Sequence, residues 1–165
     1  YERFDLLLNL GDGQFVEVAS AAGMAFPNYL PQVEGAAAVD IDGNGTIDIV
    51  VASEVLLNDG KAHFTPVDRP FGPTRIFDEG MSVTDLDGDG RYDIVKSDPS
   101  LGPRIFWGTT EPTVFADAGW MLGGQQVSES AFGLAVGDLM GNGRPTLVLA
   151  GGDPIGGAGG VGAAL

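Results

Sequence analysis

Four carboxylates stand at positions one, three, five and nine of the run Asp85-Leu-Asp-Gly-Asp-Gly-Arg-Tyr-Asp93. Glycines at positions four and six let the backbone turn tightly about a centre. Such a run gathers hard oxygen donors around one point, and Ca²⁺ is the ion that takes them. The same run occurs 45 residues earlier as Asp40-Ile-Asp-Gly-Asn-Gly-Thr-Ile-Asp48. A worn copy lies 53 residues later as Asp138-Leu-Met-Gly-Asn-Gly-Arg-Pro-Thr146. There Met140 and Thr146 replace two acids, and only Asp138 and Asn142 remain as side-chain ligands.

The two intact loops define two expected ligand sets. Asp40, Asp42, Asn44 and Asp48 supply side-chain oxygens in one, and Asp85, Asp87, Asp89 and Asp93 in the other. Position seven contributes the backbone carbonyl of Thr46 or Arg91, because the side chains there differ and a guanidinium cannot ligate a cation. Water completes about six or seven ligands at roughly 2.3–2.6 Å, the shell Ca²⁺ prefers; Mg²⁺, with its small octahedral shell, comes second. An EF-hand shares positions one, three, five and six but needs a bidentate Glu at position twelve. Position twelve is Val51 in one loop and Lys96 in the other, and strand-like residues follow where an EF-hand has a helix.

The elements that position these loops recur with them. A small apolar stretch enters each loop: Gly35-Ala-Ala-Ala-Val, Gly80-Met-Ser-Val-Thr and Gly133-Leu-Ala-Val-Gly. An apolar stretch leaves it: Ile47-Asp-Ile-Val-Val, Tyr92-Asp-Ile-Val-Lys and Pro145-Thr-Leu-Val-Leu. Hairpins with tight Gly-Asp-Gly and Asn-Asp-Gly turns follow, and their closing aromatics fall at Phe15, Phe64 and Phe115. The unit reads as four short antiparallel strands in roughly 45–53 residues, the range of propeller blades. The expected fold is therefore all-β: a partial β-propeller of two full blades and two half blades. The division is a half blade over 1–30, blades over 31–79 and 80–130, and a half blade with a Gly-rich end over 131–165. Natural propellers have at least about four blades, so the expectation is a piece of a longer propeller or of an assembly. Residues 151–165 read as a loop or ragged end, and Val18–Met24 as one turn of helix.

Composition narrows the function. The formal net charge of −15 excludes the basic footprint of nucleic-acid binding and disfavours anionic membrane surfaces. Eight of the 23 acidic residues lie in the three loops, where bound cations would offset them. The absence of cysteine excludes disulfides and zinc–thiolate sites. No apolar run reaches the length of a membrane span, and the first residues are not a signal peptide. His63 sits in a hairpin without a nucleophile motif, and the chain offers one His and eight Lys plus Arg, too few for a catalytic cluster. No enzymatic activity is expected. Trp107, Trp120, Tyr29 and Tyr92 are the candidates for a sugar-stacking platform, set against ordinary strand packing.

The pattern Asp-x-Asp-Gly-Asp/Asn-Gly-x-x-Asp-Ile-Val, with Leu-Leu-Asn-x-Gly-x-x-x-Phe hairpins between copies, resembles the FG-GAP/VCBS repeats of integrin-α-type β-propellers. The resemblance covers about residues 5–150. It implies Ca²⁺ in the loop joining the first two strands of a blade, carried by the ten positions named above. It also implies an extracellular, cell-surface or periplasmic setting and a role in protein interaction, adhesion or scaffolding, with calcium mainly structural. The partner is then another protein or a larger assembly; a glycan is the alternative.

Overall fold

The computed structural model describes residues 5–24, 35–51, 54–68, 70–72, 80–98, 102–119, 131–151 and 161–163. Among these the chain is all strand and turn, without helices. The first hairpin is β1 (Leu7–Gly11) and β2 (Gln14–Glu17). A four-stranded meander follows, with β3 (Ala36–Val39), β4 (Asp48–Val51), β5 (Glu54–Asn58) and β6 (Phe64–Pro66) paired in that order. A second consists of β7 (Gly80–Thr84), β8 (Asp93–Asp98), β9 (Gly102–Gly108) and β10 (Phe115–Asp117). The last sheet holds β11 (Ala131–Gly137), β12 (Thr146–Gly151) and β13 (Val161–Ala163).

Matching residues hold matching register positions in these sheets. Phe15 stands opposite Asn9, Phe64 opposite Asn58, and Phe115 opposite Gly108. Val50 stands opposite Val55, and Val95 opposite Ile105. The acidic runs form the β3–β4, β7–β8 and β11–β12 connections. Residues 161–163 depart from the expectation of a loose Gly-rich end. They pair with β12, placing Ala163 opposite Val148 and Gly162 opposite Leu149, which is the place β5 and β9 take in their sheets. Val161 supplies the β-branched residue, and a strand edge with free amides accepts even a Gly-rich segment.

The sheets stand side by side through their first strands, β3 beside β7 and β7 beside β11. Two glycines allow this approach. A Cβ on Gly80 would lie 3.0 Å from the Leu134 amide nitrogen, and one on Gly35 would lie 3.0 Å from the Met81 Cβ. The sheets do not close into a barrel or ring among the described residues.

Cores form between consecutive units. Ile41, Val50 and Val55 of the β3–β6 unit bury against Ile94, Phe106 and Phe115 of the β7–β10 unit, with Phe71 between them. Phe71 meets Phe106 edge-on at 5.0 Å and stacks on Phe115 at 5.4 Å. The preceding contact repeats the plan, with Ala19, Ala22 and Met24 packed on Val51, Leu56 and Phe64. In both, a carbonyl from the segment after an outer strand accepts the amide of the next unit's aromatic: Ala22 O from Phe64 N–H at 2.7 Å, and Pro70 O from Phe115 N–H at 2.9 Å. Val18–Met24, read from sequence as one turn of helix, is a hydrogen-bonded turn and not a helix, with the Ala22 N–H donated to Val18 O at 2.8 Å.

Candidate metal centre

Each acidic loop hangs between the first and second strands of its sheet, and its backbone is shaped by the glycines at positions four and six. Gly43 and Gly45, Gly88 and Gly90, and Gly141 and Gly143 all have φ between 65° and 87°, where side chains with a Cβ are strained. The third loop thus keeps the backbone form after losing two of its acids.

Within that form the side chains tie the loop together by a repeated scheme. Position one accepts from position six: Gly45 N–H to Asp40 Oδ2 at 2.9 Å, Gly90 N–H to Asp85 Oδ2 at 2.9 Å, and Gly143 N–H to Asp138 Oδ2 at 2.7 Å. Position three accepts from position five, Asn44 N–H to Asp42 Oδ1 and Asp89 N–H to Asp87 Oδ1, each at 3.1 Å. Position five accepts from position seven, Thr46 N–H to Asn44 Oδ1 at 2.7 Å and Arg91 N–H to Asp89 Oδ1 at 2.8 Å. These bonds turn the side-chain oxygens of positions one, three and five toward the loop's interior.

The ninth position does something sequence reasoning did not see. Asp48 is fully buried, and its two oxygens accept the Ile41 N–H at 3.0 Å and the Asn58 N–H at 2.8 Å. Asp93 does the same with the Leu86 N–H and the Gly108 N–H, both at 2.8 Å. The carboxylate therefore fastens the loop to the third strand of its own sheet. The signal available in sequence was the recurrence of Asn58 and Gly108 at one register position, which indicates a fixed approach without indicating what binds there.

The structure brings one carboxylate oxygen each from Asp40, Asp42 and Asp48 within 4.8 Å of one another, and likewise from Asp85, Asp87 and Asp89. Each group could hold a metal ion. Asp93 lies outside the second group, with both oxygens engaged by amides. Asn44 is bonded through Nδ2 to Asp42 Oδ2 at 2.9 Å, and the Thr46 hydroxyl reaches Asn58 O at 2.9 Å. Arg91 turns back onto Asp89 as an ion pair and reaches Gly108 O through Nε at 3.3 Å. Asp40 Oδ1 is buried and has no hydrogen-bond partner among the described residues. An unpaired buried carboxylate oxygen is costly unless a positive charge meets it.

Asp138 has its acidity set by the loop backbone. The Gly143 amide, then those of Asn142, Gly141 and Met140, hold its carboxyl below the ordinary 3.8, against a smaller opposing effect of desolvation. No protein-family model and no curated protein matches this chain. The remaining candidate residues are placed as follows. His63 is exposed beside β6. Trp107 is half-buried in β9, Tyr92 is exposed, and Trp120 and Tyr29 lie outside the described residues. Asp117, which carried no reading in sequence, forms a two-bond pair with Arg104 across β9 and β10, with Nε to Oδ1 at 2.8 Å.

Proposed function

We propose that this chain is a calcium-binding repeat module of the FG-GAP/VCBS kind, built of propeller blades, that serves in protein interaction or scaffolding. Asp40, Asp42, Asn44 and the Thr46 carbonyl would hold one ion with Asp48. Asp85, Asp87, Asp89 and the Arg91 carbonyl would hold the second, with Asp93 bracing its loop. The bound ion supplies positive charge that offsets clustered carboxylates and joins the loop's positions into one rigid turn. The chain's own residues do the rest: the glycines set the turn, the amides orient the carboxylates, and Asp48 and Asp93 anchor each loop to its sheet.

The observation that carries this reading is the buried, partnerless Asp40 Oδ1 beside the converging oxygens of Asp42 and Asp48. All-oxygen donors favour Ca²⁺, and a hydrated Mg²⁺ second. Loops with this ligand set suit the calcium levels outside cells, so we place the module in an extracellular, cell-surface or periplasmic setting. It carries no catalytic role. No helix among the described residues is long and apolar enough to cross a membrane. Calorimetry with Ca²⁺ on the chelator-stripped chain tests the site: the expected stoichiometry follows the two acidic groups, one ion each. No bound ion at millimolar calcium would remove the reading.

A further inference from the structure

Two of the acidic loops carry asparagine followed by glycine at positions five and six, Asn44-Gly45 and Asn142-Gly143. Both asparagines are exposed. In each, the side chain is curled over its own following peptide. Asn44 Oδ1 accepts the Thr46 N–H at 2.7 Å, and Asn142 Oδ1 accepts the Arg144 N–H at 2.9 Å. That bond closes a small ring that contains both the side-chain Cγ and the glycine nitrogen, so it holds the two on one side of the backbone. It also draws charge from Cγ toward Oδ1, which makes Cγ a better electrophile.

The glycine nitrogen is the matching nucleophile. Its N–H is donated to the position-one carboxylate, Gly45 to Asp40 Oδ2 at 2.9 Å and Gly143 to Asp138 Oδ2 at 2.7 Å. A carboxylate in that place can take up the proton as the nitrogen forms a new bond. The space around each glycine is open, since a Cβ on Gly45 or Gly143 would meet nothing within 4 Å. Asn9 and Asn58 make the same side-chain bend, accepting the Gly11 and Gly60 amides at 2.8 and 3.0 Å. Leu10 and Asp59 follow them, however, and a side chain on the attacking residue obstructs the close approach that glycine permits.

We propose that Asn44 and Asn142 are sites of spontaneous deamidation through a cyclic imide, a reaction that the folded loops promote. The glycine nitrogen bonds to the asparagine Cγ, the Cγ–Nδ2 bond breaks, and the glycine amide proton leaves on ammonia. Water then opens the imide at either carbonyl, giving aspartate or isoaspartate. One water is consumed and one ammonia released, and no oxidant or cofactor is needed. The second loop shows that the aspartate product fits this backbone. There Asp89 stands at position five, its Oδ1 accepts the Arg91 N–H at 2.8 Å, and the Gly90 N–H reaches Asp85 Oδ2 at 2.9 Å. Conversion of Asn44 to aspartate gives the first loop the same four acids as the second, and conversion of Asn142 gives the third loop a second acid. Each adds one negative charge to a chain already at −15. The step needs no metal, so it stands apart from whether the loops bind calcium.

The test warms the intact chain in chelator at neutral pH over days, beside synthetic peptides covering residues 40–48 and 138–146. Peptide mass mapping follows the gain that accompanies exchange of an amide for an acid. The expected gain falls on Asn44 and Asn142 and not on Asn9 or Asn58, and it is at least as fast in the folded chain as in the peptides. Part of the product should be isoaspartate, read by enzymatic methylation of that residue. Slower conversion at either site in the folded chain than in its peptide would mean that the loop protects the asparagine, and would overturn the proposal. Aspartate without isoaspartate would mean direct hydrolysis by water and would overturn it too. So would equal conversion at Asn9 or Asn58, because the glycine would then be irrelevant.

Discussion

Asp87 and Asp138 occupy loops of one backbone form and carry different duties. Asp87 is exposed, accepts one amide, and belongs to the group of converging carboxylates. In the proposed reading its value in the fold comes through a bound ion. Asp87→Ala is expected to lower the melting temperature in millimolar calcium and to change it little in chelator, as thermal unfolding with and without chelator would reveal. Equal losses in both conditions would mean that Asp87 acts without a metal. Asp138 is bonded to backbone amides instead. Its folded pKa lies below the unfolded value near 3.8, so its contribution is present above that value and is lost as pH falls through the depressed one. Between roughly pH 5 and pH 2, Asp138→Asn should flatten the fall of melting temperature, because amide replaces a group that must otherwise take up a proton. A melting curve series in chelator checks this; an unchanged slope would contradict it.

The element that matters most for the site is the loop-to-strand fastening by the ninth-position carboxylate. Asp48 bonds the Ile41 amide within the loop and the Asn58 amide at the end of β5, so it joins three consecutive strands of one sheet. Asp48→Ala leaves buried donors unpaired, a loss of about 3 kcal/mol. Urea unfolding should show that loss in chelator as well as in calcium, which separates Asp48 from Asp87. The loops and hairpins were legible in the sequence because their residues repeat: Asp, Gly and a closing Phe at fixed intervals translate directly into turn and register. The amide bonds of Asp48 and Asp93 were not legible, since spacing alone cannot show that a loop carboxylate also meets an amide 10 or 15 residues away. The strand at Val161–Ala163 was hidden by the Gly-rich stretch around it, because what selects it is the edge of β12 and not its own propensity. Lys96 was likewise opaque. At position twelve it served to exclude an EF-hand, yet it is fully buried with its ammonium 4.3 Å from the centre of the Phe71 ring, a seat that exists only after two sheets meet.

Across the whole molecule, stability depends on how consecutive sheets are joined, because each sheet alone presents an apolar face that it cannot cover. Phe71 is the joint between the second and third units. It packs edge-on against Phe106, stacks on Phe115, and lies under the buried Lys96 ammonium. The neighbouring Pro70 carbonyl ties the same segment to the Phe115 amide. Phe71→Ala would open a cavity between the sheets and strip the lysine of its aromatic face, at a cost of about 3–5 kcal/mol. For a domain of this size that is a drop of roughly 10 °C in melting temperature. Phe15→Ala removes the same side chain from an exposed position and should cost no more than about 0.5 kcal/mol in the dilute single chain. The comparison holds residue type constant and varies only whether a neighbouring sheet covers the ring. If thermal unfolding found the two variants equally stable, the β3–β6 and β7–β10 sheets could not be packed through Phe71. If Phe15→Ala were as damaging as Phe71→Ala, the first hairpin would already be covered in the dilute chain.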